Sequence, residues 1–338
     1  MISGGTVQWL PTAFCGGIFA MYSNDVRIDG NSLSGNGLIR PGVLSSDIQV
    51  NGFGKDTASR GLRIAGNRCH STLTQYCIAT YDMQESEIDT NICTGAKTGP
   101  NNNNGYGIMI YQTAGSPGSC FENTIAHNHV SETQGSAIYL VQSNQSRVID
   151  NTIDNVANVQ VDDSLPVAGV ALNQSQHVVI SQNRITKVGR AGISIASNRK
   201  DVGHVEVTKN TIAHAGGMGI HLRGLLTDIR VSHNTVTDTN GGIGSYTDDP
   251  QDQIVIVDNV VLGTIESSPG IVLGNAGHST VRDNRVSNSG GYGLALTFRD
   301  DESVAEGNIV VGSGRAFTGK IQDVRISTRK EPAISHDF

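Results

Sequence analysis

Apolar and polar residues alternate along this chain in short bursts, each broken by a turn residue. One pattern recurs: apolar, any, apolar, any, any, Asn, any, apolar. It reads VRIDGNSL at 26–33, LRIAGNRC at 62–69, VEVTKNTI at 205–212, IRVSHNTV at 229–236 and IVIVDNVV at 254–261. A period of two marks a strand with one buried face, and no segment holds the spacing of an amphipathic helix. The aligned asparagines are Asn31, Asn67, Asn91, Asn128, Asn151, Asn183, Asn210, Asn234, Asn259, Asn284 and Asn308. From Asn183 onward they stand 27, 24, 25, 25 and 24 residues apart. Earlier steps reach 37, which marks insertions.

A second burst follows each asparagine by about nine residues: GISI at 192, GIHL at 219, GIVL at 270 and GLAL at 293, with GIMI at 107, AIYL at 137 and GVAL at 169 upstream. The unit is too short for a propeller blade and lacks the leucine spacing of a leucine-rich repeat. Three short strands and three turns fill it. The predicted fold is therefore all-β: a parallel β-helix of roughly ten to twelve coils, three strands each, stacked about 4.8 Å apart. An Asn suits a tight turn because it tolerates left-handed backbone, and stacked amides can bond along their column.

These motifs resemble the pectate-lyase-like superfamily of right-handed parallel β-helices over roughly residues 17–312. The resemblance implies that the asparagine turn lies between the second and third strands of a coil. It also implies that the outward face of the first strand, the Gly-Ile-any-apolar burst, forms a substrate groove. On this reading residues 1–16 are an N-terminal edge segment whose cap is missing, supplied by a partner or part of a longer parent chain, 17–312 the β-helix, and 313–338 a C-terminal cover.

Composition agrees. Of 338 residues only 37% are hydrophobic and 16% charged, with 41 glycines, which suits strands and tight turns over helices. A net charge of −7 argues against nucleic acid as a partner. No stretch is long and apolar enough to span a membrane, and no signal peptide is legible in this chain. The compartments expected are extracellular, periplasmic or the virion surface, with the chain a monomer or trimer. Five cysteines show no metal spacing. Cys69 and Cys93 both fall two residues after a ladder asparagine, where other coils carry Leu33, Val130 or Ile153. They are expected to be buried as apolar side chains, although adjacent coils also bring thiols within disulfide range.

Laying the first strands over one another gives the outward column. It holds Met109 and Tyr111, Tyr139 and Val141, Ala171 and Asn173, Ser194 and Ala196, His221 and Arg223, then Gly244 and Tyr246. Small residues predict an accessible wall. An exposed His–Arg pair is often solvated surface, but here it sits on the implied groove and suits a uronic acid. Arg223 would neutralise the carboxylate, His221 would take the C5 proton, and Tyr246 would protonate the leaving oxygen. Tyr111, Tyr139, Asn173, Ser194 and Asp248 are candidate substrate contacts. Loss of the glycosidic oxygen would make a lyase; return of a proton from the other face would make an epimerase.

Insertions at 97–104 and 157–167 precede first strands and are expected to overhang this wall. SYTDDPQDQ at 245–253 places Asp248, Asp249 and Asp252 in one turn. No resident cofactor is expected: the turn reads first as solvated acidic surface, with calcium held by these carboxylates as the weaker alternative. The turn also resembles the Asp-Pro-His-Asp motif of alginate epimerases, with Gln251 where the catalytic His would stand, so that His221 would supply the imidazole from another strand. Two other functions are compatible with the scaffold. A glycoside hydrolase or transferase would draw on loop carboxylates such as Asp162, Asp163, Asp248 and Asp249, since the first-strand face carries none. A tailspike or adhesin β-helix would bind a glycan without reaction.

Overall fold

The computed structural model describes residues 2–3, 6–8, 17–34, 36, 45–52, 55–70, 75–97, 105–114, 117–157, 167–197, 203–246, 249–265, 267–300, 302–318 and 324–327. Among them helix is limited to one 3-10 turn, Lys55–Thr57. Pairing is parallel from Ile2–Ser3 against Arg27–Asp29 to Asn308–Val311 against Val324–Ser327. It thus continues past both residue 17 and residue 312.

One coil shows how the sequence builds the rest. Ala191–Ser197, Gly203–Thr208 and Thr211–Ala215 are its three strands. Each lies beside its equivalent in the next coil: Met218–Gly224, Thr227–Ser232 and Thr235–Thr239. Ile193 pairs with Ile220, Val205 with Ile229, and Ile212 with Val236. These inward residues are buried and form one continuous core, each excluding water by stacking on its own kind in the neighbouring coils. Among the described residues, first and second strands join in a 24-stranded sheet, and third strands form a 13-stranded one.

The glycine that opens most first strands has a steric cause. A Cβ on Gly219 would sit 2.3 Å from Val236 Cγ1, and one on Gly107 would sit 2.3 Å from Val130 Cγ1. The cysteines obey the same constraint. In the coil where Cys77 replaces the glycine, the facing third-strand residue shrinks to Cys93, which stacks in register on Cys69. All three thiols are free and fully buried, as is Cys120. A hydrogen bond with Cys93 pulls the Cys69 thiol down, but burial, with Asp47 and Cys77 nearby, pushes it up further.

The asparagine ladder is complete from Asn31 to Asn308. Each Nδ2 donates to the Oδ1 of the next at 2.9–3.0 Å. The same amide donates to a carbonyl of the preceding coil, as Asn210 does to Ile180 at 2.9 Å. Its Oδ1 also accepts the backbone N–H of the previous ladder residue, Asn183, at 3.0 Å. Buried amides are thereby satisfied along the whole column. The left-handed backbone falls one residue earlier than expected. The residue before each asparagine has positive φ, whether Gly30, Thr90, His127, Lys209 or Asp258. Asn is selected here for its side-chain bonds, not for its backbone freedom.

Candidate functional site

Strand registers place the proposed residues on one wall. Tyr139 pairs with Ala171, Ala171 with Ser194, Ser194 with His221, and His221 with Gly244. Two positions along, Tyr111 pairs with Val141, Val141 with Asn173, Asn173 with Ala196, and Ala196 with Arg223. The expected columns are therefore present, facing away from the core.

His221 and Arg223 leave the same strand on the same face, and both are half-buried. Burial holds the His221 imidazole below its ordinary value, and the Arg223 guanidinium adds to the effect. The ring is thus neutral near pH 7, able to accept a proton. Among the described residues Arg223 pairs with no carboxylate. Several other histidines differ: His127 meets Asp89 at 2.8 Å, His204 meets Asp228, His233 meets Asp258 at 3.7 Å, and His278 meets Asp252 at 2.8 Å. Those are imidazoles on the outer turns with acids at hand. His221 has a cation beside it.

The next coil leaves room over this pair. Gly244, opposite His221, has φ 130°, and a Cβ there would lie 1.7 Å from the Val272 carbonyl oxygen. Glycine is required, and no side chain covers the imidazole from that position. Tyr246 follows, 53% exposed. Its ring folds back, bringing the hydroxyl 3.3 Å from where a Gly241 Cβ would lie. Burial raises its phenol, opposed by a bond to the Ser268 side chain. Tyr246 therefore shares the locality but its hydroxyl is turned toward Ser268.

The wall is less open than its small residues suggest. Tyr139 is only 5% exposed and Ser194 2%. Strand parity determines which way a side chain points but not what packs above it. Tyr139 lies 4.7 Å from Tyr106, ring centre to ring centre, and Tyr106 lies 5.9 Å from Tyr76. Asn173 Nδ2 donates to the Tyr139 hydroxyl at 3.3 Å, so both are contacts of each other. Burial raises the Tyr139 phenol, against that hydrogen bond. Tyr111 stays half-buried and meets Tyr81 edge-on at 5.9 Å.

Tyr81 carries no signal of this kind in the sequence. Its strand, YCIATY, has Cys77 in place of the glycine that marks the other first strands, yet its Ile-any-Thr-Tyr ending matches Ile108 through Tyr111 in register. The described carboxylates of the acidic turn point to different surroundings. Asp249 is exposed, while Asp252 bonds His278 and lies 3.5 Å from Arg299. Gln251 is buried, with Nε2 toward the Gly224 carbonyl at 3.4 Å. No group of three or more His, Cys, Asp or Glu side chains among the described residues could hold a metal ion. Asp248, Asp162, Asp163 and nearly all of the two insertions lie outside the described residues, and no described helix is long and apolar enough to cross a membrane.

The fold has solved counterparts. The periplasmic alginate epimerase AlgG is 12% identical, with 88% of this chain aligned to 77% of that one at a TM-score of 0.60. A hyperthermoactive exopolygalacturonase from Thermotoga maritima is 11% identical, covering 92% and 84%, at 0.57. The Dettilon tailspike protein is 16% identical, covering 90% and 61%, at 0.54. At such identities the likeness is one of fold. No curated protein matches the chain in sequence. The family described as right handed beta helix region matches residues 56–236 and 168–319. With parallel coils, an unbroken asparagine ladder and a family match over more than half its length, the chain belongs to the right-handed β-helix family.

Proposed function

We propose that the chain is a carbohydrate-active enzyme that breaks or inverts uronic acid residues of an acidic polysaccharide lying along the first-strand wall. One observation carries this reading: a neutral, half-buried His221 beside an Arg223 that has no carboxylate partner among the described residues. A uronate supplies that carboxylate. Arg223 binds it and disperses the charge that builds up as the C5 proton leaves. His221 takes that proton as general base. In elimination the C5–H electrons form the C4–C5 double bond, the C4–O bond breaks, and the leaving oxygen takes a proton. Tyr246, whose raised phenol keeps its hydrogen, is the donor once its side chain swings from Ser268. In epimerisation C5 is reprotonated from the opposite face instead.

The folds it shares with an alginate epimerase and an exopolygalacturonase fit a carbohydrate partner, and a polysaccharide substrate suits a protein of the periplasm, the cell exterior or a virion surface. The test is incubation with a panel of uronans. Ultraviolet absorbance of an unsaturated uronate reports elimination, and proton exchange at C5 reports epimerisation. New reducing ends without either would replace this reading with hydrolysis.

A further inference from the structure

We propose that Tyr81 and Tyr111 form a distal subsite that stacks on sugars far from the reacting one, so that the protein selects oligosaccharides over short fragments. This rests on the acidic-glycan reading of His221 and Arg223. A single register column links the two places: Tyr81, Tyr111, Val141, Asn173, Ala196, Arg223. Tyr111 and Arg223 are four coils apart, about 19 Å at the usual strand spacing of about 4.8 Å. Only an extended oligosaccharide bridges that span.

The column between them is low, with Val141 and Ala196 buried and the Asn173 amide half-buried. The two phenols meet edge-on at 5.9 Å and back onto the buried rings of Tyr76, Tyr106 and Tyr139. They are packed on one side and keep part of their surface in solvent. Further along the same wall, past Gln49 and Asn51, Phe19 is 49% exposed, with Met21 and Tyr22 exposed beside it. Sugar rings carry an apolar C–H face that suits flat aromatic surface and an edge of hydroxyls that suits Asn173. The two phenols share one register column with Arg223, which favours one polymer across both over a separate protein partner.

Calorimetric titration of the intact protein with galacturonate oligomers from dimer to octamer tests this, with neutral cello-oligomers in parallel. Affinity should climb with length, and Tyr111→Ala should cut octamer binding about tenfold and flatten the climb. Tyr111→Phe should restore it, because the ring and not the hydroxyl does the binding. Arg223→Gln should weaken every uronate while keeping the ratio of long to short. Should Tyr111→Ala lower the melting temperature, Tyr111→Leu, which fills the space without a flat face, carries the comparison. A length gain that survives both Tyr81→Ala and Tyr111→Ala overturns the subsite, as does self-association through these residues with no length dependence. Uronates bound through Arg223 without a length gain would leave the acidic-glycan reading standing and the subsite refuted. A gain seen only with cello-oligomers and lost in Tyr111→Ala would do the reverse, and no binding of any oligomer refutes both.

Discussion

His221 lies opposite Gly244 in the first sheet, and the pairing of these two strands goes no further. The strand holding Gly244 ends at Ser245, so Arg223 has no paired residue opposite it on that strand. This break in the pairing gives the His–Arg pair its space.

Gly244→Ala should therefore damage both fold and site. The added Cβ meets the Val272 carbonyl oxygen at 1.7 Å and the backbone has φ 130°, so the coil must shift. A loss of about 1–3 kcal/mol is expected, seen as a lower melting temperature, with His221 displaced.

The ladder predicts unequal costs along its length. Asn210→Ala removes donors to Ile180 and Asn234 and the acceptor of Asn183, leaving several buried groups unpaired. At about 1–3 kcal/mol per orphaned group, the loss should exceed about 3 kcal/mol in denaturant unfolding. Asn308→Ala, at the ladder's last position, removes no bond onward to a further asparagine and should cost less. Equal costs would mean that the stacked bonds are not what the asparagines contribute.

The thiols supply a test of packing. Cys93→Val alone overfills the space facing Cys77 and should cost about 1–3 kcal/mol. Cys77→Gly with Cys93→Val recreates the Gly107–Val130 pair of the next coil, and should recover most of that loss. The double variant should be more stable than the sum of its singles, a coupling that unfolding of all four proteins measures. In the native protein Cys69, Cys77, Cys93 and Cys120 should resist a thiol reagent until the chain unfolds.

Much of the architecture is legible in the sequence because a solenoid writes its fold in register. Eleven asparagines and a recurring Gly-Ile burst place Tyr139, Ser194 and His221 in one column by their spacing alone. Exposure is not legible. Tyr139 and Ser194 point outward as their strands require, yet are buried by what lies over and beside them, which alternation does not encode. The left-handed residue is displaced from its expected position because Thr90, His127 and Lys209 carry no turn signature of their own. Tyr81 is hidden because its strand begins with a cysteine instead of a glycine, a substitution that makes sense only with Cys93 facing it. The Asp252 carboxylate looks available in the sequence, but its partners His278 and Arg299 come from later coils.

Acid should weaken the native state through His221. Its folded value lies below the ordinary 6.5, so the unfolded chain binds the proton first as pH falls. Stability is intact above the unfolded value and drains away from there down through the folded one. His221→Asn should reduce that slope in melting curves taken across this range.

The central claim is that a uronate carboxylate completes the His221–Arg223 pair. Nuclear magnetic resonance titration of the His221 ring, assigned by its loss in His221→Asn, reads this directly. The imidazole should titrate below the ordinary histidine value in the free protein and shift upward when a galacturonate oligomer neutralises Arg223, with no such shift in Arg223→Gln. An imidazole that titrates at or above the ordinary value, and ignores the oligomer, would contradict the account.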